Sequence, residues 1–262
     1  MKEGFAEVAG TKLWYWDTDR AGPALILCHP ASQGCLVWEK QRDVLAEAGY
    51  RVIGYSRRGH QPSETGPADN PGTTIDDLAQ LMQCLDIERA HLLGAAAGGI
   101  TALGFACRFP ERTTSLILAG TIFSPDEDDW RAMHARLDVA SIKGAASTAF
   151  LELGPAYRAA NPEGTARFAT LSGQAVGDKG GFNQPTGAKV TWAAIKALNM
   201  PVLLMTGEAD LYSPPPMQEL VAGHLKNPAL VTMPSIGHAP YWEAPDLFNE
   251  AVMGFLGDLD AE

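Results

Sequence analysis

The chain reads as a mostly parallel α/β protein in which a helical insertion interrupts the sheet. Three observations carry this. Short apolar runs alternate with amphipathic stretches at both ends of the chain. One of those runs, Ala24–Cys28 (ALILC), is continuously apolar, as a strand covered on both faces must be. The alternation then stops between Thr121 and Leu198 and resumes after it.

The elements follow in order. Phe5–Val8 and Thr11–Trp16 predict a hairpin turning at Ala9-Gly10. After the strand Ala24–Cys28, a helix is expected over Trp38–Ala48, stopped by Gly49, and then a strand over Arg51–Tyr55. Ser56–Asn70 is a polar Gly/Pro-rich loop. Thr73–Leu85 places Ile75, Leu78, Leu81, Met82 and Leu85 on one helical face. Strand Ala90–Leu93, helix Ala97–Phe109 and strand Ser115–Ala119 come next. The insertion predicts helices near Asp128–Leu137, Ala145–Leu153 and Glu163–Ser172, and then a glycine-rich stretch, Gly177–Gly187, that reads as a mobile lid segment. The sheet resumes with strands Val202–Thr206 and Leu230–Met233, each followed by a helix, Pro216–Leu225 and Ala244–Leu256. The expected division is a core of 1–120 plus 199–262 and a helical cap of 121–198.

Composition narrows the function classes. With 262 residues, 46% of them hydrophobic, the chain can bury one sizeable core. Charged residues are only 19%, and 27 glycines and 18 prolines are spread along the chain, which excludes a coiled coil or a highly charged disordered protein. The net charge is −11 and the longest basic run is Arg57-Arg58, so no nucleic-acid partner is expected. No apolar stretch makes a convincing membrane span or signal peptide. Cys28, Cys35, Cys84 and Cys107 form no CxxC pair and read as reduced thiols of a cytoplasmic protein. No metal or organic-cofactor motif occurs, so the expected partner is a small molecule, on a monomer or homodimer.

The chemistry-bearing residues follow particular strands. After Ala90–Leu93 comes Gly94-Ala95-Ala96-Ala97-Gly98-Gly99, small residues that permit a sharp strand-to-helix turn. After Val202–Thr206 comes Gly207-Glu208-Ala209-Asp210, and after Leu230–Met233 comes Ser235-Ile236-Gly237-His238. An acid and a histidine therefore lie at the C-terminal ends of two late strands, where open parallel sheets place their sites. The glycine-rich turn alone would suit mere helix packing or a degenerate dinucleotide fingerprint. It lies mid-chain, however, with no ribose-binding acid about 20 residues on.

With the motifs LILCHP, GYSRRGHQPS, LLGAAAGGI, VLLMTGEADLYSPP and GHAPYWEAP, the sequence resembles the α/β-hydrolase superfamily over essentially its whole length. The similarity is to its small esterases, enol-lactonases, epoxide hydrolases and haloperoxidase-like enzymes. The family usually has His-Gly where this chain has His29-Pro30, and Ser, Asp or Cys where it has Ala96. The resemblance implies an α/β-hydrolase fold with Ala96 at the nucleophile position, His238 as general base and acid, and Asp210 orienting it. It also implies oxyanion donors at the Ala31 and Ala97 N–H groups, with His29 bracing the first of these loops. Glu208 is the fallback acid. Glu243 and Pro245 read as caps of the last helix.

Ser32, Trp130, Tyr157, Trp192 and Tyr241 are candidate substrate contacts, although most insertion aromatics, Phe150, Phe168 and Phe182 among them, suit that segment's own core. His60, His91, His134 and His224 show no partner pattern. The expected substrate is a small, largely apolar ester or lactone. Ala96 leaves three readings. A serine hydrolase has lost its nucleophile, by substitution that traps substrate or by natural loss. Alternatively, a native non-serine enzyme uses His238–Asp210 as a base for lyase, cofactor-free oxygenase or direct water-attack chemistry. The third is a non-catalytic small-molecule binding protein.

Overall fold

A computed structural model describes residues 1–142, 144–176 and 184–260. Two antiparallel strands, β1 (Lys2–Val8) and β2 (Thr11–Asp17), lead into the parallel part of the sheet. There β3 (Ala24–Cys28), a 3-10 turn at Cys35–Lys40, α1 (Arg42–Glu47), β4 (Arg51–Tyr55), α2 (Thr74–Cys84), β5 (Ala90–Ala95), α3 (Ala97–Arg108) and β6 (Thr113–Ala119) follow. Five helices come next: α4 (Asp128–Ala135), α5 (Thr148–Glu152), α6 (Pro155–Ala160), α7 (Pro162–Val176) and α8 (Trp192–Lys196). The chain closes with β7 (Val202–Gly207), α9 (Pro215–Ala222), β8 (Ala229–Met233), α10 (Pro240–Glu243) and α11 (Pro245–Asp260). The eight strands lie in the order 1-2-4-3-5-6-7-8, and β3 to β8 are parallel.

Alternate residues of the central strands feed two cores, one on each face. Ile26, Cys28, Leu92, Leu116, Leu118, Val202 and Leu204 pack with Ile75, Leu78, Leu81 and Phe105 of α2 and α3. Leu25, Leu27, Leu93, Ile117, Leu203 and Met205 pack with Leu45 of α1, Trp242 of α10 and Phe248, Val252 and Leu256 of α11. Both faces are covered, which is why the strands read as unbroken apolar runs. Phe168 and Leu171 of α7 join the second core and so tie the helical segment to the sheet.

Some expectations shift. The single helix expected over Trp38–Ala48 is instead the 3-10 turn plus α1, because Trp38 (φ −82°, ψ 17°) leaves helical geometry to bury its indole against Tyr241. The closing helix expected over Ala244–Leu256 is α11, which starts at Pro245 and runs on to Asp260, and a short α10 precedes it. Two short helices, α6 and α8, were not expected from periodicity, since five or six residues carry too little of it. The anticipated lid stretch lies mostly outside the described residues. Its end is described: Thr74 and Ile75 N–H donate to the Pro185 and Thr186 carbonyls, and Gln184 Nε2 donates to Asp77 at 2.6 Å. Asp77 also receives the buried Arg58 guanidinium at 2.7 Å. Cys28, Cys35, Cys84 and Cys107 are free thiols. Among the described residues, no helix is long and apolar enough to cross a membrane.

The β5–α3 turn is possible only because of its glycines. A methyl on Gly98 would run into the Cys28 and His29 carbonyls, and one on Gly99 into the Thr121 side chain. Gly98→Ala is therefore expected to cost about 3 kcal/mol or more, or to prevent folding, because backbone cannot yield as a side chain can. Gly173 of α7 has open space around it. Gly173→Ala should raise stability by about 0.5–1 kcal/mol through helix propensity alone. Urea unfolding of the two variants checks both values.

Candidate active site

Ala96 sits between the last residue of β5 and the first of α3, with φ 48° and ψ −115°. This is the strained region that non-glycine residues avoid, at a cost of about 1–3 kcal/mol. The strain is held by Ala96 N–H donating to the Ala119 carbonyl at 2.9 Å and by Gly99 N–H donating to the Ala96 carbonyl at 3.1 Å. Such a turn lifts its central side chain above the sheet, and here that side chain is a methyl group. Ala97 N–H opens α3, one of the donors a helix cannot satisfy internally.

Beside this turn lies the loop after β3. His29 Nε2 accepts from Arg57 N–H at 2.9 Å, so its proton is on Nδ1, which donates to the Pro30 carbonyl at 2.7 Å. Burial, with help from the Arg57 charge, keeps this imidazole neutral, its pKa well below the ordinary histidine value. His60 reaches the Ala31 carbonyl at 2.9 Å through Nε2. Two histidines thus brace the loop that carries Ala31 and Ser32.

Asp210 and His238 meet at the ends of β7 and β8. His238 Nδ1 lies 2.9 Å from both Asp210 carboxylate oxygens. A carboxylate only accepts, so Nδ1 carries the proton and Nε2 of the neutral ring is the free base. Asp210 Oδ1 also accepts from Tyr212 N–H at 2.7 Å and Ser213 N–H at 3.1 Å. Ser213 Oγ and Gln218 fasten that loop to the Thr121 carbonyl. Burial works against an imidazolium here, but the charge and hydrogen bond of Asp210, with Glu152 and Glu243 behind, carry the His238 pKa above the usual histidine value. Gly120, at φ +54°, passes directly beneath the pair, where a side chain would press on His238.

A cavity of about 460 Å³ joins these parts. Ala31, Ser32, Ala96, Ala97, Tyr212 and His238 line it, with Ile122, Leu151 and Glu152 on the wall formed by the helical segment and its lead-in. Four aromatic residues expected at the substrate lie elsewhere. Tyr241 is fully buried against Trp38 and Phe248, and Trp130 stacks on His134. Trp192 stacks on His224 with ring centroids 4.0 Å apart. Tyr157 packs on the core beside Phe168 and Trp242, outside the cavity lining. Their spacing gave no direction, and each found a packing partner first. Glu208, the fallback acid, instead accepts Ser235 N–H at the surface, and the place beside the imidazole is held by Asp210.

Among the lining residues to which the sequence did not point are Tyr212 and Glu152. Tyr212 covers the imidazole with ring centroids 4.6 Å apart, and its own hydroxyl is pushed up to about 12 by burial. Glu152 accepts from Ser32 Oγ at 2.7 Å, and its carbonyl accepts His238 N–H at 2.8 Å. The helical segment therefore bonds directly to the backbone of the histidine. Glu243 is a second tie. It does not cap α11; its carboxylate accepts N–H from Gly154 (2.8 Å), Gly237 (3.0 Å) and Ala239 (3.4 Å).

A family model described as alpha/beta hydrolase fold matches residues 23–245. A protein of Caulobacter sp. (strain K31), named as a carbamate hydrolase, RutD, is 29% identical over 231 residues, 84% of this chain and 85% of that protein. A 2-hydroxy-6-oxo-6-phenylhexa-2,4-dienoate hydrolase of Burkholderia cepacia is 27% identical over 262 residues, 90% of this chain and 88% of that protein. The enol-lactonase of Burkholderia xenovorans LB400 superposes with a TM-score of 0.75 at 22% identity, covering 97% of this chain and 100% of that one.

Burial raises the Glu243 carboxyl to about 7, against the lowering effect of its three N–H donors. A native pKa above the unfolded value means that the native state binds the extra proton. Its stabilisation is complete below the unfolded pKa of about 4.3 and is lost as pH rises to about 7. Glu243→Gln should remove this term. The difference in unfolding free energy between wild type and variant should then change by up to about 3 kcal/mol between about pH 4.5 and pH 7.5. Urea titrations at the two pH values measure it.

Proposed function

The chain belongs to the α/β-hydrolase fold family, and on that premise we propose that its site hydrolyses small, largely apolar esters or lactones with His238 as the base. The observation that carries the reading is the His238–Asp210 pair, with Nε2 free, beside a strained turn at Ala96 in one cavity. The helical segment 121–198 acts as a cap over that cavity, supplying Ile122, Leu151 and Glu152 to its wall.

Ala96 has no nucleophilic atom, so no acyl-enzyme forms at that position. A water molecule takes the role instead. His238 Nε2 accepts its proton as the water oxygen attacks the acyl carbon. Asp210 holds the ring in the required tautomer and stabilises the imidazolium. The carbonyl oxygen, now an oxyanion, is received by Ala31 and Ala97 N–H, the second with the favourable end of the α3 dipole behind it. The imidazolium then gives its proton to the departing alkoxide. The products are a carboxylic acid and an alcohol, or a hydroxy acid from a lactone.

A hydroxyl at position 96 would sit where the rest of the site serves it best. Ala96→Ser is expected to raise the hydrolysis of short aryl esters by a factor on the order of 10³ or more, since losing the nucleophile of such a triad costs on the order of 10⁶. His238→Ala in that background should abolish the gain. Wild-type ester hydrolysis that survives His238→Ala contradicts the reading, as does an Ala96→Ser gain that survives it. Initial rates on phenyl and 4-nitrophenyl acetate provide the measurement.

A further inference from the structure

Arg42, Arg51 and Arg58 each place the same edge of the guanidinium, Nε with Nη2, on an aspartate. Arg42 does so on Asp43 at 2.8 and 3.0 Å, Arg51 on Asp17 at 2.9 and 2.6 Å, and Arg58 on Asp77 at 2.7 Å through both nitrogens. That edge presents two parallel N–H bonds, matched to the two oxygens of a carboxylate. Arg57, the neighbour of Arg58 and two residues past the end of β4, departs from the pattern. Its Nε and Nη2 are both buried and have no hydrogen-bond partner among the described residues. Folded proteins seldom leave one such donor unmet, and here two lie side by side on one charged group.

The surroundings do not supply the missing acceptor. His29 spends Nε2 on the Arg57 N–H at 2.9 Å and Nδ1 on the Pro30 carbonyl at 2.7 Å. His60 faces the Arg58 and Ala31 carbonyls through its two ring nitrogens at 3.1 and 2.9 Å. Burial pushes the Cys28 thiol up to about 11 and the Tyr55 hydroxyl well above its ordinary value, so both stay neutral beside the guanidinium. Burial works against the Arg57 charge, and no carboxylate of the described residues bears on it.

We propose that the Nε–Nη2 edge of Arg57 receives a small carboxylate ion, at a site separate from the cavity of His238. Arg57 is not among the residues lining that cavity. It stands beside the loop after β3, at the C-terminal ends of the parallel strands, where such sheets bind ligands. The residue is partly exposed, which leaves the ion a way in from solvent. Two-point contact with planar oxygens selects a carboxylate over a spherical anion of the same charge. The N–H bond to His29 fixes the root of the side chain, so the fork is presented from a set position. An acid released by ester hydrolysis is one such ion, yet the site stands without the hydrolase reading, in which Arg57 takes no part.

The Arg57 Nε–H signal in nitrogen-15 NMR, assigned by its loss in Arg57→Met, reports on the site directly, and the His29 imidazole signals read the same event in the variants. Sodium acetate is exchanged stepwise for sodium chloride at constant ionic strength. In wild type the Arg57 Nε–H and His29 signals should move together and saturate, with a midpoint of about 10 mM or below. Arg57→Lys, which keeps the charge and lacks the fork, should weaken the response about fivefold or more, and Arg57→Met should abolish it. In chloride alone, Arg57→Met loses an uncompensated buried charge and should unfold at or above the wild-type temperature, and acetate should raise the melting temperature of wild type only. An Arg57 Nε–H signal that acetate leaves in place overturns the proposal. So does an affinity unchanged in Arg57→Lys, or a His29 response that persists in Arg57→Met, since the ion then sits elsewhere. Arg57→Met unfolding below wild type in chloride overturns it as well, because the protein itself then meets the charge.

Discussion

The turn between β5 and α3 is the constraint on which the site depends. Gly98 lies against the carbonyls of Cys28 and His29, and Gly99 lies against Thr121, so three strand ends are drawn together at van der Waals limits. The loop after β3 is thereby set beside the N-terminus of α3, which brings Ala31 near Ala97 across one cavity. Thr121, on the other flank, accepts the hydrogen bonds that hold the Asp210 loop. Ala96 pays for this closeness in backbone strain, and its φ of 48° persists although no reactive side chain makes use of it.

From that point the electrostatics follow. Three buried or half-buried carboxylates, Asp210, Glu152 and Glu243, surround His238 and favour its protonated form against the cost of burial. A base with a raised pKa is a better proton acceptor once it is neutral, which suits a site that must activate water or a hydroxyl. Two of these carboxylates also join the helical segment to the core: Glu152 through its carbonyl on His238 N–H, and Glu243 through Gly154 N–H. Displacement of the helical segment is therefore felt at the imidazole, not only at the cavity wall.

Much of this was legible in the sequence, for a physical reason. Strands buried on both faces must be continuously apolar, so β3, β5, β6 and β7 stand out. Tight turns demand small residues, so Gly94–Gly99 announces the turn, and loops after parallel strands carry function, so Asp210 and His238 stand out in order. The helical segment was less legible. Glu152 looks like one more acid at the end of a short helix, and only the fold brings it to Ser32, 120 residues earlier. Tyr212 is one residue in a Pro-rich loop until its ring is seen over His238. The large aromatics misled for the opposite reason: Trp192 and Tyr241 have the size of substrate contacts but are consumed by packing against His224 and Trp38.

A competent base survives beside a turn without a nucleophile. Nitrogen-15 NMR of the His238 imidazole across a pH titration tests it most directly. The ring should titrate in a single step above the ordinary histidine pKa, with the neutral form protonated on Nδ1 and a clear downward shift in Asp210→Asn. A His238 pKa at or below about 6.5, or a neutral ring protonated on Nε2, would contradict it.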